Sequence, residues 1–193
     1  MPNCADNPLL RAAAEIQRFF EAQQWRFCFI GGLALLRWGQ PRFTRDVDVT
    51  LLTGFGCEEQ FIQPILSAGY LGRITDAAEF ARRSRVLLVN SAEGVPLDIV
   101  LAGLPFEVTL VERATLFEFE DGCSLKTCSA EDLVVQKLFA FRARDIADVE
   151  TVVMRQRGRL QWDYIEAHLT PLAELKDQPE IMAALGKLRR LDG

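Results

Sequence analysis

Arg26-Phe27-Cys28-Phe29-Ile30-Gly31-Gly32, then Arg42-Phe43-Thr44-Arg45-Asp46-Val47-Asp48-Val49, are the residues from which this 193-residue chain is best read. Arg26 to Ile30 predicts a short strand, cut by Gly31-Gly32. Leu33 to Trp38 predicts a short helix, stopped by Gly39-Gln40-Pro41. Arg45 to Leu52 predicts a second strand of strict alternation, ended at Gly54 and Gly56. Residues two apart on a strand point to one face, so Asp46 and Asp48 project together while Val47 and Val49 enter the core. Two carboxylates side by side repel and lose hydration unless a cation sits between them. Oxygen-only ligands suit Mg²⁺ or Mn²⁺ rather than zinc. The plainer alternative is an exposed strand face that carries two acids.

Three neighbours bear on that choice. Gly31-Gly32 lies between strand and helix, where a backbone without side chains lets an anion approach the helix N-terminus, although many tight turns need such a pair. Arg42, Thr44 and Arg45 place two guanidiniums and a hydroxyl just before the acids, in reach of a polyphosphate. Leu97-Asp98-Ile99-Val100 sets one acid in an apolar strand, where an unpaired charge is costly. A metal shared with Asp46 and Asp48 would give Asp98 a partner if the strands are neighbours.

Outward from this segment, Asn7-Pro8 opens a helix running to about Gln24. Helices are predicted over Glu58 to Ala68 and Thr75 to Arg83, and strands over Arg85 to Asn90 and Pro96 to Leu101, joined as a hairpin. Thr115 to Glu120 and Ser124 to Cys128 are further short strands around Asp121-Gly122. From Ser129, which with Asp132 resembles a capping box, the pattern is helical: Leu133 to Phe141, Ile146 to Arg155, Tyr164 to Leu175 and Ile181 to Leu191. The expectation is an α/β core over 1–128 and a helical subdomain over 129–193, packed as one compact unit because no flexible linker separates them.

Composition narrows the chemistry. Hydrophobic content of 49% and charged content of 25% are ordinary for a globular chain. No apolar run approaches the roughly 20 residues that span a bilayer, and the first residues lack the features of a signal peptide, so a cytoplasmic protein without membrane association is expected. Five scattered cysteines without a C-x-x-C pair argue against a disulfide framework and a zinc site; Cys28 and Cys57 read as reduced. The single histidine, His168, reads as structural. Chemistry is left to carboxylates, Lys, Arg and backbone. A net charge of −5 does not favour a dedicated nucleic-acid binder. Of the 22 cationic residues 18 are Arg, clustered at 82–85, 155–159 and 189–190. They suit phosphate or simply solvate helix ends.

The glycine pair on a short helix, D-x-D on the next strand and a third Asp on a later strand resemble the polymerase β-type nucleotidyltransferase superfamily. Within it, the R-x-T-x-D-x-D form and the Ser129–Asp148 stretch are most similar to the AbiEii-type toxin nucleotidyltransferases, over about residues 26 to 150. One departure is Gly32, which stands where many members carry Ser. The resemblance implies a palm-like mixed sheet flanked by helices. It also implies transfer of a nucleoside monophosphate from an NTP to an acceptor hydroxyl with two Mg²⁺ or Mn²⁺ ions, releasing pyrophosphate. Asp46 and Asp48 would hold both metals. Asp98 would ligate the one nearest the acceptor hydroxyl and take its proton. Gly31, Gly32, Arg42, Thr44 and Arg45 would face nucleotide phosphates.

Lys137 shares an apolar helical stripe with Leu133, Val134, Leu138 and Phe141. Its stem packs while the ammonium snorkels, or, as the resemblance implies, the lysine faces the active site and contacts phosphate. Asp145 and Asp148 match the family's R-D-x-x-D ending, with helix capping or a solvated face as equal alternatives. The acceptor is left open among RNA, protein and small molecule, and an antitoxin protein is the partner a toxin would have. A non-catalytic member that binds nucleotide or a partner through the same fold is the rival expectation. An antibiotic-modifying enzyme is a third, without a specific acceptor signature.

Overall fold

A computed structural model describes residues 7–119 and 122–192; Cys4, Glu120 and Asp121 lie outside them. In chain order the elements are α1 (Pro8–Ala22), β1 (Phe27–Phe29), α2 (Gly31–Trp38), β2 (Val47–Leu52), α3 (Glu59–Ser67), β3 (Leu71–Gly72), α4 (Ala77–Ser84) and β4 (Val86–Asn90). They continue with β5 (Pro96–Ala102), α5 (Pro105–Arg113), β6 (Thr115–Glu118), β7 (Ser124–Thr127), α6 (Ala130–Ala140), α7 (Ala143–Arg155), α8 (Trp162–Leu175) and α9 (Glu180–Asp192). The chain divides into two compact units, Met1–Leu33 with Phe43–Cys128, and Ala34–Arg42 with Ser129–Gly193.

The first unit is built on a seven-stranded mixed sheet of order β3-β4-β5-β2-β1-β7-β6. β2 and β5 are parallel, with Asp48 opposite Asp98, and β1 is parallel to β7. The remaining neighbours are antiparallel. Alternation in β2 and β5 sends Val47, Val49, Leu51, Leu97, Ile99 and Leu101 into the core, each fully buried. Each such side chain contributes about 1.5–3 kcal/mol by leaving water. All three residues of β1 are buried, as expected of a central strand covered on both faces. α1 packs on β7 and β2 through a stripe that includes Ala13, Ile16 and Phe20, and α5 packs on β1 and β2. Asn7 caps α1, its side-chain oxygen accepting from the Leu9 and Leu10 amides at 3.0 and 3.4 Å.

Two elements were not foreseen. α5 starts at Pro105, and the Glu107 carboxylate accepts from the Gly103 and Leu104 amides at 2.7 and 2.8 Å; this is capping chemistry written in Leu104-Pro105-Phe106-Glu107. β3 has two residues, too few for any periodicity to register. α2 begins at Gly31 rather than Leu33, so the glycine pair forms the helix's first turn.

In the second unit α6 packs against α7, α8 and α9. Ser129 caps it by accepting from the Asp132 amide at 3.1 Å and donating to the Asp132 carboxylate at 2.6 Å. The other Asp132 oxygen accepts from the Tyr164 hydroxyl at 2.6 Å, so this buried acid is satisfied. His168 stacks on Tyr164 with its Nδ1 2.9 Å from the Tyr164 carbonyl oxygen, a structural role. Arg155 donates to the Gly39 carbonyl and the Gln156 amide to that of Trp38. Cys28, Cys57 and Cys128 are outside any disulfide, whereas Cys123 is disulfide-bonded, a pairing that the scattered cysteines did not signal. No described helix is long and apolar enough to cross a membrane.

Candidate active site

The sheet register does most of the assembly. Asp48 and Asp98 are partners across parallel β2 and β5, on the face opposite the buried valines and leucines. Asp46 sits one residue before β2, and the Thr44 hydroxyl donates to its Oδ1 at 3.0 Å. One carboxylate oxygen from each of Asp46, Asp48 and Asp98 lies within 4.8 Å of the others, and all three residues are half-buried. The acids expected to converge do so.

Three close carboxylates raise the energy of the charged state. Burial pushes the Asp98 carboxyl up from its ordinary value, and the Asp46 charge adds to this; the Arg73 guanidinium opposes both. Arg73, directly after β3, forms an ion pair with Asp98. Sequence reasoning missed it, because an arginine between Gly69 and Thr75 carries no motif. The only signal was that an acid in an apolar strand requires a partner, and the partner expected was a shared metal.

Both glycines are dictated by what lies against them. At Gly31, φ is +54°, and a Cβ would stand 1.9 Å from Asp48 Oδ2. At Gly32 a Cβ would meet Thr44 Oγ1 at 2.4 Å and Thr44 Cβ at 2.7 Å. A real Cβ essentially never approaches another atom so closely, so the first turn of α2 is bare where the Asp48 carboxylate and Thr44 lie against it. A helix N-terminus carries amides without intrahelical partners, here beside the acid cluster. The Thr44 hydroxyl lies directly against Gly32 in this corner of the site.

The other expected phosphate contacts are placed differently. Arg45 is exposed, its guanidinium 5.6 Å over the Phe43 ring. Arg42 and Lys137 belong to the second unit and meet there in a buried ion network. Arg42 grips Asp148 through two hydrogen bonds of 2.8 Å. Lys137 Nζ donates to Asp148 at 2.7 Å and to Asp145 at 3.2 Å, and Arg142 donates to Asp145 at 2.6 Å. Asp145 and Asp148 are each 4% exposed, so neither is on a solvated face, and Arg142 rather than an aspartate occupies the cap position of α7. Burial pushes both carboxyls up, but hydrogen bonds and charge from Arg142 and Lys137 hold Asp145, and from Arg42 and Lys137 hold Asp148, below the ordinary value.

Comparison with known proteins bears on this arrangement. The family described as "Nucleotidyl transferase AbiEii toxin, Type IV TA system" matches residues 12–168. No curated protein matches the sequence. Among solved structures, an antigenic nucleotidyltransferase-like protein from Paracoccidioides brasiliensis is similar at 13% identity and a TM-score of 0.54, covering 94% of this chain and 93% of its own. The antibiotic-resistance factor ANT(2'')-Ia is similar at 14% identity and a TM-score of 0.55, covering 87% of this chain and 92% of its own. Its complex with adenylyl-2''-tobramycin gives a TM-score of 0.54 at 14% identity, over 86% and 98%. At such identities the likeness is one of fold, and that fold is the nucleotidyltransferase mixed sheet flanked by helices.

Proposed function

This chain belongs to the AbiEii nucleotidyl transferase toxin family, and we propose that it moves a nucleoside monophosphate group from an NTP to an acceptor hydroxyl. The observation that carries the reading is the convergence of Asp46, Asp48 and Asp98 within 4.8 Å. Three carboxylates with oxygen donors only, mutually repelling and half-buried, fit Mg²⁺ or Mn²⁺. Asp46 and Asp48 would hold the ions jointly, and Asp98 would complete the set. When bound, such ions neutralise charge on the triphosphate and on the leaving pyrophosphate.

The chain's own groups supply the rest. Thr44 holds the Asp46 carboxylate in place. The bare first turn of α2, at Gly31 and Gly32, offers its amides to phosphate oxygens, and exposed Arg45 adds a cation at the rim. The acceptor oxygen forms a bond to the α-phosphorus as the bond to the pyrophosphate oxygen breaks, and the hydroxyl proton passes to Asp98. Arg42 and Lys137 serve first as partners of Asp148 and Asp145. The type IV toxin–antitoxin description of the family makes an antitoxin protein the expected partner.

Incubation with each labelled NTP, Mg²⁺ and total cellular RNA, with protein and small-molecule fractions assayed in parallel, tests this. Label passes to one fraction with wild type and to none with Asp48→Ala. NTP binding without transfer to any fraction overturns the enzymatic reading in favour of a non-catalytic nucleotide-binding member.

A further inference from the structure

Arg73 lies on the acid cluster through a connection that the topology makes specific. Its backbone amide donates to the Leu88 carbonyl at 3.0 Å, and Leu88 is the β4 partner of Asp98, which is in turn the β5 partner of Asp48. Arg73, Leu88, Asp98 and Asp48 therefore form one row across the sheet. From its pinned position the Arg73 side chain reaches over β4 to pair with Asp98. The pair is only partly exposed, at 27% for Arg73 and 34% for Asp98, so water screens it incompletely. The cluster carries three negative charges, and this guanidinium is bonded to the carboxylate that would complete a cation site.

We propose that Arg73 is a positioning residue, a resident counter-cation that holds Asp98 until a divalent ion displaces it. The inference rests on reading the three aspartates as metal ligands, and it adds what governs their affinity. A guanidinium and a divalent ion draw on the negative charge of the same carboxylate and repel one another, so the arginine opposes ion uptake. Arg73 keeps three acids together in the metal-free protein, and the site is correspondingly weaker for metal than its ligand set alone would make it. A structural arginine and a competing arginine predict opposite signs. Loss of a scaffold loosens a metal site, whereas loss of a competitor tightens it.

The test is Mn²⁺ titration of nucleotide-free protein, with free Mn²⁺ read by electron paramagnetic resonance. Arg73→Ala is expected to bind Mn²⁺ about fivefold more tightly than wild type, the scale of a partly exposed ion pair. Arg73→Lys, which keeps the charge, stays near wild type. Arg73→Gln keeps the polar stem and answers the same question if the alanine variant folds poorly. Unchanged or weaker Mn²⁺ binding in the neutral variants, with wild type binding normally, overturns the role of Arg73 and leaves the metal reading standing. Absence of Mn²⁺ binding in wild type and variants alike overturns both.

Discussion

Asp48 and Asp98 stand directly opposite one another on adjacent parallel strands, in a register that runs from Val47–Leu97 to Leu52–Ala102. Like charges in facing positions destabilise a sheet, so the pair is an arrangement that folding alone would not select. Replacing Asp48 with Asn is expected to stabilise the metal-free protein by roughly 0.2–1 kcal/mol while abolishing nucleotidyl transfer. Thermal melts with and without Mn²⁺ read both effects. Wild type gains melting temperature on adding the ion, as any ligand selective for the native state requires, and Asp48→Asn does not. A variant that melts lower than wild type without metal contradicts the repulsion argument.

Gly31 is predicted to be the least replaceable residue of the site. Alanine there meets a left-handed backbone, costing about 1–2 kcal/mol for a residue with a Cβ, and it also overlaps the Asp48 carboxylate. Gly31→Ala should therefore lose both stability and activity, and excess Mn²⁺ should not rescue it. Wild-type transfer by a folded Gly31→Ala protein would show that the close approach is not needed.

The Lys137 network should dominate the acid sensitivity of the chain. Asp145 and Asp148 are held below the aspartate value of about 3.9 that an unfolded chain shows. Their contribution is present above that value and is lost as pH falls through their folded values. Removing one partner of a buried pair costs roughly 3–5 kcal/mol, so Lys137→Met should lower stability by that order at neutral pH. It should also flatten the decline in urea midpoint as pH falls below about 5. Equal steepness in variant and wild type would assign the acid loss to other groups.

Asp98 works in the opposite direction. Its carboxyl is pushed up by burial and by Asp46, so its contribution favours the folded state at low pH and fades as pH rises through the folded value. Asp98→Asn should remove that dependence, and the difference between the two urea-midpoint profiles isolates it.

Sequence patterns carried much of this architecture, for reasons visible in individual residues. Val47, Val49 and Leu51 alternate with Asp48, and Leu97, Ile99 and Leu101 with Asp98, so the strands and their polar faces followed from a period of two. Asn7-Pro8 and Ser129 marked helix starts because capping is local chemistry. What stayed hidden depended on register or on single side chains crossing the sheet. Nothing near Arg73 in the chain announces Asp98. The buried state of Asp145 and Asp148 also escaped notice, because a charged residue on a helix is ordinarily solvated and only its partners reveal otherwise. Lys137 lies on the apolar stripe of its own helix, but the two carboxylates it bonds come from the next helix and leave no mark on that stripe.

Residue 32 and residue 44 share one small volume, which makes them a genetically coupled pair. Serine at 32 collides not only with the Thr44 hydroxyl but also with its Cβ, 2.7 Å away, so shortening Thr44 to alanine does not make room. Each change made alone is therefore harmful, Gly32→Ser by overlap and Thr44→Gly by releasing Asp46. Made together they restore a hydroxyl to the same corner from the helix side. That is sign epistasis arising from one shared volume, and a transfer assay on the two single variants and the double variant reads it directly.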